Sequence, residues 1–374
     1  MGLTRYRLGD LIEHSTLNNR DERYGSDLIR GVNNKMGLTA PKGDIDNVNL
    51  KPYKIVREGA FVYNPSRLNL GSLAYCQEKL CIVSHLYTVF YLSDKGKSVL
   101  NPIYLYLYFM RDEFFREVTF RNFGSQRPEF NFKKMSDLEI NLPPLKIQQK
   151  YVDIYNAMVA NQKCYEESLE DLKLACDAGL EALMSEMEMD SIGGYIQLTD
   201  ERNNGVYSSD NVRGISIEKV FIPTKAKMDG VSVKNYKIVE PRDIAYVPVT
   251  SRNGGKITIA QNVEGAAYLI SSAYTSFRCN ETKLLPEYLM LFFTRPEFDR
   301  YARFHSWGSA REVFSWDDMR DVRIPIPDIK TQQSLANLFT AYNQRKEINE
   351  RMKTQIKDIC PILIKGTLEE ASKA

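Results

Sequence analysis

The chain repeats itself. Residues 123–158 align without a gap to residues 307–342, and twelve of these 36 positions are identical at an offset of 184. The shared residues are Gly124, Ser125, Arg127, Phe130, Met135, Asp137, Ile140, Pro143, Lys146, Gln148, Gln149 and Ala157. Upstream, Tyr53-Lys54-Ile55-Val56 returns as Tyr236-Lys237-Ile238-Val239, and Arg30-Gly31-Val32 as Arg213-Gly214-Ile215, at an offset of 183. Tyr87-Thr88-Val89-Phe90 returns as Tyr274-Thr275-Ser276-Phe277 at 187, so short insertions lie between. A colinear duplication of about half the chain means that whatever fold one half adopts, the other adopts too.

The first part of each half reads as mixed α/β. Runs rich in β-branched and aromatic residues at 80–92 and 265–278 predict strands, with Gly, Asn and Pro clusters as turns. Segments 101–118 and 285–303 begin at a proline and carry apolar residues at helical spacing, which predicts a helix in each. The second part follows a proline signal, Pro143-Pro144 or Pro325-Ile326-Pro327, and has the pattern of a long helix.

In the first tail, Ile147, Tyr151, Ile154, Met158, Asn161, Tyr165, Ser168 and Leu172 alternate spacings of four and three, and Leu180, Leu183 and Met187 extend the face. Leu335, Leu338, Tyr342, Arg345, Asn349, Met352, Ile356, Ile359 and Leu363 do the same in the second. A seven-residue period sustained over this length predicts a supercoiled seam, and two such helices in one chain bury each other's stripe. Residues 146–190 carry four Lys and Arg against ten Asp and Glu, and residues 330–374 carry eight against five, so the two charges attract. Pro361 is a potential kink in the second helix. The expected fold class is α+β: two duplicated mixed α/β domains separated by a pair of long antiparallel coiled-coil helices with pseudo-twofold symmetry. The expected boundaries are 1–145 for the first domain, 146–190 for the first helix, 191–329 for the second domain and 330–374 for the second helix. At about 1.5 Å per residue, some 42 residues of helix span roughly 60 Å, so the helices act as a ruler.

Duplex DNA has local twofold axes, and two-headed readers set each head on a half-site at a fixed spacing. The loops suit that use. One holds Asn64, Arg67, Asn69 and Ser72; another holds Arg121, Ser125, Gln126 and Arg127, echoed by Ser309 and Arg311; a third holds Arg252, Asn253 and Lys256. Arginine offers a fork of donors to guanine or phosphate, Asn and Gln match adenine, and Gly-Ser admits a phosphate to backbone N–H groups. The same residues equally serve as solvated turns that hold the fold.

Catalytic signatures are missing. Asn64-Pro65-Ser66-Arg67 lacks the second proline and aromatic of an amino-methyltransferase loop, and Leu142-Pro143-Pro144-Leu145 lacks its amide. There is neither a GxxxxGK[ST] phosphate loop nor a glycine-rich cofactor loop after a strand. Six scattered cysteines without a CxxC and three distant histidines (His14, His85, His305) argue for reduced, packed thiols and against a metal. The longest apolar run, Ile103 to Met110, is far short of a membrane span, and the N-terminus has no apolar leader, so a cytoplasmic protein is expected.

Tyr63-Asn64-Pro65-Ser66-Arg67 with Gly71-Ser72-Leu73-Ala74, then Val83-Ser84 before Tyr87 and Phe90, resembles the first target-recognition domain of type I restriction–modification specificity subunits. The run from Gly124-Ser125 to Phe130, then Ile140 to Leu145 with Gln148-Gln149, resembles that family's junction into a conserved helix. Ile324 to Pro327 with Gln332-Gln333 resembles the second junction. The resemblance covers essentially the whole chain. It implies a non-catalytic DNA-recognition subunit whose domains each read half of a bipartite, asymmetric site, with the helices setting the gap and docking methyltransferase subunits. It further implies two adenine-N6 methyltransferase subunits and ATP-dependent restriction–translocation subunits as partners. S-adenosylmethionine, ATP and Mg are then expected on those partners and no cofactor on this chain. The second domain departs from the pattern, with Tyr246-Val247-Pro248-Val249-Thr250 in place of the Asn-Pro-Ser-Arg loop, which implies a different half-site or a weakened head. With a net charge of only +2, weak DNA binding by the chain alone is expected. The alternative reading is a duplicated coiled-coil adaptor without DNA specificity.

Overall fold

The computed structural model describes residues 2–33, 37–41, 43, 45, 48–122, 129–250, 255–308 and 311–373. Its helices are α1 (Asp94–Val99), α2 (Pro102–Phe109), α3 (Asp112–Arg121), α4 (Phe132–Ser136), α5 (Leu145–Glu186), α6 (Pro286–Phe293), α7 (Pro296–Phe304), α8 (Trp316–Arg320) and α9 (Ile329–Lys373). The chain divides into two compact units, Met1–Cys164 with Asn349–Ala374, and Tyr165–Ile348. The duplicated mixed α/β architecture and the two long helices are both present, and α5 and α9 each contribute to both units.

In the first unit an antiparallel sheet orders its strands Ile12–Ser15, Thr88–Leu92, Phe61–Tyr63 and Leu73–Tyr75. Phe61 and Phe90 face each other in the register and stack at 5.0 Å, on the side that α2 and α3 cover with Tyr104, Phe109 and Phe114. All five are buried, and each such side chain contributes about 2–3 kcal/mol by leaving water. Thr4–Arg7 pairs with Glu139–Leu142, which carries the chain's beginning to the threshold of α5. The second unit repeats this plan. Its sheet orders Ile196–Thr199, Thr275–Cys279, Ile244–Tyr246 and Ile259–Gln261, Phe277, Phe293, Phe298 and Phe314 fill the core, and Met189–Ser191 pairs with Arg323–Pro325.

Three expectations about the elements need correction. Segments 101–118 and 285–303 each form two helices, because the backbone is extended at Arg111 and Arg295. Pro296 disfavours helical geometry at Arg295, and the Arg111 side chain turns back to the Tyr108 carbonyl and ring, closing α2. The runs 80–92 and 265–278 are each two strands, split by turns in which Tyr87 N–H donates to Ser84 O and Tyr274 N–H to Ser271 O. The seam of α5 is displaced by one residue where it meets the first unit. Ile154 and Asn161 are exposed, while Tyr155 packs on the core and Gln162 Nε2 donates to buried Asn349 Oδ1 at 2.8 Å.

Within each unit the two long helices run antiparallel. In the first, Tyr151 OH donates to Glu370 Oε2 and Gln162 meets Asn349, so rising numbers on α5 face falling numbers on α9. In the second, Arg345 Nη1 donates to Ser168 Oγ at 2.8 Å, and Gly179 lies against Leu335. The expected positions Leu335, Asn349 and Leu363 are buried; Arg345 is exposed and reaches its partner by its length. Helix α9 continues through Pro361.

Candidate nucleic-acid interface

In the first unit the strand Phe61–Tyr63 ends in the turn that carries the first group of candidates. Asn64 is bonded inside it: its N–H donates to Ser72 O, its Oδ1 accepts from Ser66 N–H at 3.0 Å, and its carbonyl accepts from Arg67 N–H. Ser72 is buried, with Oγ donating to Val32 O at 3.4 Å. Leu68 anchors the following turn in the core, and Gly71 closes it at φ +85°, a conformation that suits glycine. Arg67 and Asn69 are left exposed, and among the described residues neither side chain has a partner. Of the four candidates in this loop, Asn64 and Ser72 make side-chain bonds within the unit and Arg67 and Asn69 face outward.

A second segment closes against that loop. Phe130 N–H donates to Pro65 O at 2.9 Å, and α3 packs on residues 68–70. Arg121 is held by its own helix, with Nε and Nη2 both donating to Glu117 Oε1, at 3.0 and 2.8 Å. Lys134, which the motifs did not single out, donates to Asn122 Oδ1 at 2.8 Å and Glu129 O at 3.0 Å, joining the two ends that flank residues 123–128. Ser125, Gln126 and Arg127 lie outside the described residues.

The second unit repeats the closure with different side chains. Phe314 N–H donates to Pro248 O at 2.9 Å, the counterpart of the Phe130–Pro65 bond. Thr250 N–H donates to Glu312 O, and Val313 bridges both Val249 and Trp307. Gly308 stands at φ +139°, where an added Cβ would lie 2.1 Å from Arg311 O. Lys256 and Arg311 are exposed and make no ion pair among the described residues. Arg252, Asn253 and Ser309 lie outside the described residues. In both units the strand leading into the site ends on a buried tyrosine, Tyr63 or Tyr246, whose hydroxyl pKa burial pushes up, so neither adds charge there.

One fastening in the second unit has no motif to announce it. Lys219, in the turn between Arg213–Ile215 and Phe221–Pro223, adopts φ +61° and buries its ammonium. Its Nζ donates to Phe293 O at 2.6 Å and Asp299 Oδ1 at 2.8 Å, and the same oxygen accepts from Ile257 N–H at 3.2 Å. Burial lowers the Lys219 pKa, with Asp299 working against it. The pair ties the hairpin and the strand end just beyond Lys256 to α7.

At the helix junctions one glutamine of each repeated pair is buried. Gln148 and Gln332 are fully buried, each with its amide donating to two carbonyls and its oxygen accepting one N–H. All six cysteines are unpaired, and among the described residues no three His, Cys, Asp or Glu side chains converge as a cation would require. Among those residues, too, no helix is long and apolar enough to cross a membrane.

Comparison with known proteins matches the Type I restriction modification DNA specificity domain twice, over residues 4–173 and 195–358. The chain is 23% identical over 132 residues to the Type I restriction enzyme HindI specificity subunit of Haemophilus influenzae. That match takes in 35% of this chain and spans only 28% of the length of that curated relative. The fold is similar to that of the type I restriction–modification S subunit from M. genitalium, with a TM-score of 0.62 at 12% identity, covering 98% of this chain and 96% of the other. The HsdS subunit from Thermoanaerobacter tengcongensis aligns over 98% and 96% of the two chains at 15% identity, with a TM-score of 0.37.

Proposed function

The chain belongs to the family of type I restriction–modification DNA specificity domains, carrying two of them, and from this we propose that each unit reads one half of a bipartite, asymmetric DNA site. The observation that carries the proposal is the repeated closure of two loops, Phe130 on Pro65 and Phe314 on Pro248, with unlike residues after the two prolines, Arg67 and Asn69 in the first and Thr250 and Arg252 in the second, beside the repeated Gly-Ser-x-Arg run. A shared frame with divergent outward side chains is what two readers of different half-sites need. Arg67 and Asn69 serve the first half-site, and Lys256 and Arg311 serve the second. Arg121 acts within its ion pair, and Ser125, Gln126, Arg127, Arg252, Asn253 and Ser309 remain candidates by their place in the sequence. Asn64 and Ser72 hold the frame.

Reading proceeds by phosphate contacts that position each unit and by side chains that reach base edges. The chain contributes no chemistry to the bases. Methyltransferase subunits carrying S-adenosylmethionine modify adenine, and ATP-dependent restriction subunits act with Mg; the long helices set the gap between half-sites. The site of action is the cytoplasm, where the host DNA lies.

The test is to co-express this chain with a methyltransferase subunit encoded beside it and to map modified adenines in the host DNA by long-read sequencing. A split, asymmetric motif that disappears without this chain is the expected result, and Arg127→Ala is expected to weaken modification through the first half-site. A stable complex that modifies no motif would mean a dead head, and the absence of any complex would overturn the proposal and leave the adaptor reading in its place.

A further inference from the structure

The strand pairs that open onto the two candidate loops end alike, with Tyr63 facing Leu73 and Tyr246 facing Ile259. Nine residues lie between them in the first unit, 64–72, and twelve in the second, 247–258. The shorter loop is pinned by an apolar residue of its own, the buried Leu68. The longer one has a polar tether at its far end. Lys256 is exposed, Ile257 is buried, and the Ile257 N–H donates to Asp299 Oδ1 at 3.2 Å. That oxygen also accepts from Lys219 Nζ at 2.8 Å, and the same ammonium donates to Phe293 O, at the end of α6, at 2.6 Å. The Lys219 and Asp299 side chains are only 6% and 14% exposed. Lys256 stands near enough that its charge acts with burial to lower the Lys219 pKa, against the pull of Asp299.

The duplication shows the same plan built without this pair. The hairpin Gly31–Asn33 with Gly37–Thr39 has the register of Arg213–Ile215 with Phe221–Pro223, Gly31 facing Thr39 and Gly214 facing Ile222 at the offset of 183. Lys219 therefore answers in the sequence to Met36, which lies outside the described residues. At the offset of 184, Asp299 answers to Phe115, which packs on the apolar core of the first unit. Replacing a buried ion pair by apolar residues of similar size is often neutral or stabilising. Stability is thus no reason for the second unit to hold a lysine and an aspartate at these positions. What the ion pair has and an apolar pair lacks is an acceptor for the Ile257 N–H. Lys219, itself fastened to the Phe293 carbonyl, holds that acceptor in place.

We infer that Lys219 and Asp299 are positioning residues for DNA recognition by the second unit: by holding the Ile257 N–H they fix the backbone beside Lys256, so that its ammonium meets a phosphate of the second half-site. Neither residue of the pair touches nucleic acid, since both are buried and bonded to each other. Phosphate contacts set the register of a reader on the duplex, so a lysine held at a fixed height places the rest of its loop. Untethered, Lys256 would stand on a loop three residues longer than its counterpart, and ordering that loop on binding would cost conformational entropy. The inference rests on the reading given under Proposed function, in which Lys256 serves the second half-site.

The experiment measures the affinity of the full chain, assembled with its methyltransferase, for a labelled duplex carrying the mapped motif, over a series of salt concentrations. Each phosphate contact adds about 0.9 to the steepness of log affinity against log salt. Lys256→Ala is expected to make the slope shallower by about 0.9. Lys219→Met combined with Asp299→Phe gives the second unit the apolar pair of the first. That variant should unfold at the temperature of the unaltered chain, lose protection of the Ile257 N–H in hydrogen exchange, and show the shallower slope of Lys256→Ala. Adding Lys256→Ala to it should change the slope no further, because the two act through one contact. Asp299→Glu keeps the ion pair but moves the acceptor by one methylene, and the slope should fall in a variant whose buried charge is still paired. An apolar-pair variant with an unaltered slope, where Lys256→Ala loses its contact, would overturn the positioning role and leave Lys256 at the interface. A further loss in the triple variant would overturn it too, since the pair would then act elsewhere. An unaltered slope for Lys256→Ala would overturn the inference and remove Lys256 from the second half-site. An unaltered complex without preference for any motif would overturn the reading on which the inference rests.

Discussion

Gln148 Oε1 accepts the backbone N–H of Asn101 at 2.9 Å, joining the first turn of α5 to the residue that caps α2. Its Nε2 donates to Val99 O and Pro143 O at 2.9 and 2.8 Å, so one buried amide satisfies three backbone groups of the junction. Gln332 does the same for Leu285, Lys283 and Pro327. Gln148→Ala strands those groups away from water and is expected to cost about 3 kcal/mol of unfolding free energy. Gln148→Glu should also destabilise, because a carboxylate accepts from Asn101 but cannot donate. Urea unfolding checks both; a change within about 0.5 kcal/mol for the alanine variant would contradict the clamp.

Arg67 and Asn64 stand three residues apart with opposite expectations. Arg67→Ala removes an exposed side chain and should leave stability within about 0.5 kcal/mol while weakening binding of the assembled complex to its target roughly tenfold. Asn64→Ala removes the acceptor of Ser66 N–H and should cost about 1 kcal/mol of stability. Thermal denaturation and fluorescence anisotropy with labelled duplex separate the two. Equal stability losses would mean that Arg67 is structural as well.

Gly308 occupies a conformation that L-residues avoid, and a Cβ there meets the Arg311 carbonyl. Gly308→Ala is expected to cost about 2 kcal/mol and to weaken DNA binding through the second half-site, leaving the first unaffected. Methylation of duplexes mutated in either half-site reports which unit has suffered.

Lys219→Met removes the cation of a buried pair and leaves Asp299 with Ile257 N–H as its remaining donor. The expected loss is about 3 kcal/mol, confined to the second unit. Hydrogen exchange should show faster exchange along Arg213–Ile215 and Phe221–Pro223, with the first unit unchanged. Uniform protection across these strands would mean that the hairpin is held by its other contacts.

The entry of α9 is expected to respond to acid. The Thr331 hydroxyl, then the N–H groups of Thr331 and Lys330, hold the Asp328 carboxyl below its ordinary value of 3.8. The contribution of a carboxyl with a depressed folded pKa is complete above the unfolded value and is lost as pH falls through the folded one. Asp328→Asn keeps an acceptor without the titration. Its stability relative to the unaltered chain should therefore be lower at neutral pH and converge as the pH drops below about 4. A pH-independent difference in urea unfolding would rule this out.

The duplication and the two long helices were legible because repeated identities and seven-residue spacing are properties of a string. The phase of the seam was less so. Ile154 and Asn161 continue the pattern on paper, yet Tyr155 and Gln162 take the inner positions, since the neighbouring core and Asn349 reward a one-residue shift that spacing alone does not record. The breaks at Arg111 and Arg295 were hidden for a similar reason: the apolar pattern runs through them, and only the turning back of the Arg111 side chain and the placing of Pro296 end the first helix of each pair.

Read alone, the chain's amino acids determined the two-unit plan, the two long helices and the loops proposed for DNA reading, because these rest on local propensity and on repetition. The tertiary structure decided which loop residues are spent on the frame and which face outward, and it brought Lys219 to Asp299 and Phe130 to Pro65. Those outcomes depend on hydrogen bonds between residues far apart in the chain, and on burial. A side chain's type does not reveal whether its donors will find partners at home, and so it does not reveal what is left for another molecule.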